Sequence, residues 1–202
     1  MRKISRTRAR VLAAVGMAGV VGTLGAVTYQ ASADEVAAPA EIAAPVEAEA
    51  SAKDVRQVRV PGIPAAIKPP AGSRLVGASV VVKGTQTYTC TAGVFTGASV
   101  PEAQLVGTTG RIHHFRGPSW QSTRDGSLIT AKKTAESARP GSIPELLLTV
   151  DSHSGRGVLA NVTHISRLQT SGGLAPAGAC TDGATKAVKY GAVYVYWTAK
   201  QS

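Results

Sequence analysis

The 202 residues leave room for one domain, or for a small domain with extensions, and the formal net charge is +10. Apart from Lys132-Lys133 the bases are scattered, with no basic stripe interleaved with aromatics, so nucleic-acid recognition is excluded as an expectation. No H-x-H, H-E-x-x-H or Cys-His spacing occurs, so neither a metal site nor a cofactor is expected.

The chain opens with Arg2, Lys3, Arg6, Arg8 and Arg10 and no acid among them. An apolar run follows from Val11 to Val27, then the small-x-small triplet Ala31-Ser32-Ala33, then Asp34. Charge, apolar run and small residues in that order predict a secretory signal peptide over residues 1–33, cleaved between Ala33 and Asp34. The apolar run is shorter than the roughly 20 residues a membrane-spanning helix needs. No second run approaches that length, so the expected destination is extracellular, with no membrane span after cleavage. Removal of the five leader bases leaves 17 bases against 12 acids, or +5.

Residues 34–60 read as a disordered linker. The stretch is rich in Ala, Pro and Glu, has no aromatic, and cannot bury enough apolar surface to offset its ordering entropy. Pro61, Pro64, Pro69 and Pro70 then give an extended approach to a domain over residues 61–202. From Val60 onward there are 14 bases and six acids, near +8, a balance suited to an anionic cell-surface polymer or glycan. The oligomeric state has no signature in the sequence.

The domain has a β texture. Strands are expected over Leu75–Val82, Thr85–Cys90, Ala103–Thr108, Arg111–Phe115, Leu128–Lys132, Leu146–Val150, Gly157–Thr170 and Val188–Thr198, with turns rich in Gly and Pro. Only Thr134–Arg139 hints at a helical period. In the last strand Tyr190, Tyr194 and Tyr196 share one face and Val193, Val195 and Trp197 the other, the pattern of a strand buried on both sides. The predicted fold is all-β, mainly antiparallel: a single-domain sandwich or barrel. Cys90 and Cys180, the only two cysteines, predict one disulfide tying an early strand to the approach of the last.

Several segments together carry a resemblance. They are Gly84-Thr85-Gln86-Thr87-Tyr88-Thr89-Cys90, His114-Phe115-Arg116-Gly117-Pro118-Ser119-Trp120, Asp125-Gly126-Ser127, Arg167-Leu168-Gln169-Thr170, Gly172-Gly173-Leu174-Ala175-Pro176, Cys180 and Tyr190-Gly191-Ala192-Val193-Tyr194. In this order they resemble the secreted domain-of-unknown-function family 3455 of bacteria and fungi, over about residues 60–198. The resemblance implies secretion and a β-rich fold, and no activity. Glu145 stands where the family pattern usually has a tryptophan. Some fungal members carry a malate dehydrogenase label. Gly155-Arg156-Gly157-Val158-Leu159-Ala160 does match a loose G-x-G-x-x-A pattern, but a dinucleotide site needs a helix directly after it. The residues that follow read as a strand.

The candidate site joins His114, Trp120, Arg124 and Asp125, an imidazole, a flat ring and a charge pair close together in sequence. Trp120 could stack on a sugar or an apolar ligand while His114 and Asp125 hydrogen-bond it; the alternative is a structural corner. Arg167, if it faces inward, needs an acidic partner or an anionic ligand. A carboxylate pair drawn from Asp125, Asp151 and Glu145 is conceivable, but nothing singles it out. The leading expectation is a non-catalytic extracellular binding or surface-associated domain for a glycan, cell-wall polymer or apolar ligand. A small secreted hydrolase around His114 and Asp125 comes second, and a structural envelope protein third.

Overall fold

A computed structural model describes residues 58–97 and 99–200. The expected leader, its Ala33/Asp34 cleavage point and nearly all of the linker lie outside these residues. The described part is almost wholly antiparallel β. The strands are β1 (Arg74–Thr91), β2 (Val94–Phe95), β3 (Val100–Gly107), β4 (Gly110–Phe115), β5 (Ser119–Ser122), β6 (Leu128–Ser137), β7 (Glu145–Ser154), β8 (His164–Gly172) and β9 (Thr185–Thr198).

From β3 to β9 each strand pairs with the next in sequence, and β1 pairs with both β3 and β9. The sheet thus closes on itself as an eight-stranded up-and-down barrel, and the short β2 adds only a hairpin at the end of β1. Of the two predicted architectures, the barrel is the one formed. Closure consumes the edges that an open sheet would leave unpaired. Residues 75–90, expected as two strands, are one long strand bent by register shifts, at Leu75/Gly77 and Val80/Thr85 against β9 and at Val81/Lys83 against β3. Such bulges add local twist and curvature, which a closing sheet requires.

Alternate residues point inward. Leu105, Ile112, Trp120, Ile129, Leu148, Ile165, Tyr194 and Tyr196 fill the interior. The opposite face of β9 is covered as well: Val193 and Val195 pack with Leu168, Ala78 and the fully buried Ile67, with Val58, Val60 and Ile63 alongside. Residues 58–67, ending in a 3-10 turn over Ala65–Ile67, thus run across the outside of the barrel. This explains why β9 is apolar on both faces.

Two expected elements differ. Residues 134–137 continue strand β6, pairing with β7, so no helix forms there. The long strand expected over Gly157–Thr170 begins only at His164. Residues 155–163 instead make successive turns that carry Leu159 and Val162, both fully buried, into one end of the barrel. No helix follows Gly155-Arg156-Gly157, so the dinucleotide pattern lacks its structural context.

Cys90 and Cys180 are bridged, with Cα atoms 6.0 Å apart. The bridge fastens the end of β1 to the loop before β9, as expected. Backbone bonds repeat the connection: Cys90 N donates to Ala184 O at 2.7 Å and Cys180 N to Gly93 O at 2.9 Å. The disulfide is consistent with an extracellular protein. Among the described residues no helix is long and apolar enough to cross a membrane.

Candidate functional site

The barrel has two unlike ends. The residue 155–163 turns close one. The other is formed by the start of β3, the β4–β5 turn, the far part of β6, the start of β7 and the middle of β8. His114, near the end of β4, and Trp120, near the start of β5, are directly paired across the strands. Both point inward, and their rings stack with centroids 4.2 Å apart and planes 9° from parallel. The edge of Tyr194 meets Trp120 at 5.9 Å. The adjacent His113 points outward to Glu102 at 2.6 Å, since neighbouring strand residues face opposite sides.

His114 Nδ1 lies 2.8 Å from the Ser119 carbonyl, which can only accept, so Nδ1 carries the proton and donates. In the neutral ring Nε2 is then an acceptor. Burial pushes the imidazole down to about 3. The Ser119 carbonyl opposes this shift, while Arg167 and His113 add to it. The ring is therefore neutral at physiological pH and unsuited to hold or relay a proton there.

Beside this ring stack lies a cavity of about 140 Å³. Leu146, Leu148 and Tyr194 give it an apolar wall, and Gln86, Arg167 and Lys133 contribute polar groups. Three buried nitrogens on its lining residues have no hydrogen-bond partner among the described residues: Gln86 Nε2, Trp120 Nε1 and Arg167 Nε. Gln86 Oε1 is satisfied by the Ser99 hydroxyl at 2.6 Å, and one terminal nitrogen of Arg167 donates to Pro144 O at 2.8 Å. No carboxylate lies within ion-pair distance of Arg167 among the described residues. Arg167 faces inward, the case in which the sequence reading required an acidic partner or an anionic ligand, and the described residues supply it no counter-charge.

Arg124 and Asp125 are elsewhere. They occupy the turn between β5 and β6, at the closed end, with Arg124 exposed and 3.7 Å from Asp125. Asp125 Oδ1 accepts from the Ser127 hydroxyl at 2.6 Å and from Ser127 N at 3.1 Å, and Oδ2 accepts from Val158 N at 3.1 Å. These bonds, the Ser127 hydroxyl first, hold its carboxyl well below the usual range. They also pin the 155–163 turns across the barrel end. A Cβ on Gly157 would come within 2.2 Å of the Asp125 carboxylate, so only glycine allows this approach. Asp125 works as a fastener here.

The other acids are similarly engaged. Glu145, only 6% exposed, accepts from Gln169 N at 2.6 Å and pairs with Arg139 at 3.2 Å. It thereby holds the β8 bulge, where Gln169 adopts a φ of 47°. Glu145 is not among the cavity residues. Asp151 is on the exposed half of β7, bonded to Thr130. The three acids are not brought into one site. A wider depression of about 520 Å³ at the closed end, lined by His153, Asn161 and Lys200, is open and contains no unpartnered buried donor. Among the described residues no group of three or more His, Cys, Asp or Glu side chains could hold a metal.

Gln86, Tyr194 and Lys133 were not named as site residues by sequence reasoning. A signal for Gln86 did exist: it shares its strand face with Tyr88 and Cys90, both buried, so a glutamine stood at an inward position.

No curated protein and no solved structure matches this chain. Residues 97–198, just over half of the chain, match the family described as "Protein of unknown function (DUF3455)". That span covers β3 to β9, and with them His114, Trp120 and Arg167, but stops short of β1, which closes the barrel. The chain belongs to the DUF3455 family.

Proposed function

We propose that the barrel is a non-catalytic extracellular binding module that takes a small molecule, or the end of a cell-surface polymer, into the cavity beside His114 and Trp120. One observation carries this reading: buried hydrogen-bond donors on the residues that line the cavity have no acceptor among the described residues. Leaving a buried donor unpaired costs about 1–3 kcal/mol, and more for a charged group. A ligand that accepts from them recovers that cost on binding. The cavity is also mostly apolar with a few polar groups, the usual makeup of a small-molecule site.

Catalysis has less support. No carboxylate or thiol lines the cavity, His114 is neutral, and the Ser99 hydroxyl is turned to Gln86. A hydrolase built on His114 with Asp125 would need groups from opposite ends of the barrel. Export belongs to the same proposal, and N-terminal sequencing of secreted protein should begin at Asp34; a mature chain starting at Met1 and held in membranes would refute it.

Native mass spectrometry of the mature protein against glycans, cell-wall fragments, small acids and aromatics tests the binding reading. A retained one-to-one complex, weakened in Arg167→Met, is the expected result. No complex, together with activity in esterase, glycosidase or phosphatase assays, would replace it with the hydrolase reading.

A further inference from the structure

The structure assigns the cavity a carboxylate ligand: we infer that Arg167, Gln86 and Trp120 together receive the carboxylate of a small, flat organic acid or of an acidic sugar. This rests on the binding reading above and specifies the chemistry of that site.

The charge argument comes first. Arg167 is on the inward face of β8, between Ile165 and the bulge, and its guanidinium is permanently ionised. Its Nε is buried and unpartnered among the described residues, and the partners it does have are neutral, the Pro144 carbonyl at 2.8 Å and the Tyr194 hydroxyl. A cation partly removed from water, with no anion near it among the described residues, is unfavourable unless an anion arrives. Elsewhere in the fold the same problem is solved internally, since Arg139 meets Glu145. Arg167 is left for a ligand.

The remaining donors select among anions. Gln86 Nε2 and Trp120 Nε1 are neutral N–H groups, both on residues at most 2% exposed. One guanidinium with two neutral donors balances a single negative charge and satisfies the lone pairs of two oxygens. That is a carboxylate, for which guanidinium offers a matched planar fork. A phosphate monoester would bring up to two charges and a third oxygen, and Lys133, the other cation on the lining, is already paired with Glu136 at 2.6 Å. The apolar wall of Leu146, Leu148 and the His114–Trp120 stack fits the flat body of such a ligand. The neutral Nε2 of His114 can accept from a hydroxyl on it.

Isothermal titration calorimetry on the mature, disulfide-bonded protein tests this with two matched pairs, benzoate against benzamide and glucuronate against glucose. At least one acid should bind ten-fold or more tightly than its neutral partner, and the preferred pair tells whether the source is an aromatic acid or an acidic sugar. Arg167→Met should remove that ten-fold preference. If this variant does not fold, Gln86→Glu serves: it retains the acceptor for Ser99, exchanges the donor for a negative charge, and should lower acid binding at least ten-fold. Equal binding of acid and neutral partner, or a preference that survives both substitutions, overturns the carboxylate assignment and leaves the binding reading standing. Absence of binding by all four probes at 10-millimolar order overturns the carboxylate assignment, and if the wider native mass spectrometry panel is also blank, the binding reading falls with it.

Discussion

Acidification should destabilise this barrel through one buried ring. His114 is 3% exposed, and its burial holds the imidazole near 3, against an ordinary value of 6.5. The folded state therefore resists protonation while the unfolded chain accepts it. Stability from the neutral ring is fully present above pH ~6.5 and is lost as pH falls toward 3. Each pH unit inside that window costs about 1.36 kcal/mol, so moving from pH 7 to pH 5 costs about 2 kcal/mol, near thirty-fold in the unfolding equilibrium. His164 is shifted in the same direction by its burial, so the total acid effect is not His114 alone. The assay is urea unfolding at both pH values for the wild type and for His114→Gln, whose amide can still donate to Ser119. The variant's baseline cost cancels in the difference. The wild type should lose about 2 kcal/mol more than the variant. Equal losses, within about 0.5 kcal/mol, would refute the claim that His114 is buried neutral.

Replacing both cysteines by alanine, which opens a loop with a sequence separation of 90, should cost about 4.6 kcal/mol by the chain-entropy relation. That is a fall in Tm of about 10–18 °C, read by calorimetry; two titratable thiols in the unreduced denatured protein would mean there is no bridge to lose. Gly107→Ala should destabilise by about 3 kcal/mol or more, because its Cβ would lie 2.0 Å from the Ala78 carbonyl oxygen at the β1–β3 seam. Gly62→Ala, with nothing within 4 Å, should leave the urea midpoint unchanged. A fragment of residues 97–202 should show no cooperative unfolding by circular dichroism, since it lacks β1 and the Cys90 half of the bridge, whereas residues 58–202 should unfold in one transition.

Much of this architecture was legible because β structure writes a period of two. The inward tyrosines and outward valines of β9 announced a strand covered on both sides, and two cysteines left a single pairing. Closure was not legible: a sandwich and a barrel share the same alternation, and only the pairing of β1 with both β3 and β9 separates them. The residue 155–163 turns misled because Val158, Leu159 and Val162 are apolar, the two valines β-branched as well, in the manner of a strand, yet they plug a barrel end. The site was half legible. His114 and Trp120 meet as neighbours in one strand pair, and Arg167 joins them from β8, about fifty residues away, by virtue of the barrel alone. Asp125, close to Trp120 in sequence, is taken toward the opposite end because β5, which carries Trp120 near its start, runs on to the turn that holds Asp125. Glu145 gave no sign of its task, which is to hold a bulge that periodicity cannot reveal.

The most direct test of the cavity as a ligand site uses the two tryptophan indoles as paired reporters in a nitrogen–proton correlation spectrum. Trp120 Nε1 is unpartnered on a cavity residue, while Trp197 Nε1 donates to Ser166 at 3.0 Å on the outer face. Titration with the ligand pool that native mass spectrometry retains should shift the Trp120 indole signal and leave that of Trp197 in place. A bound ligand that moves Trp197 alone, or neither signal, would contradict the account and place binding on another surface.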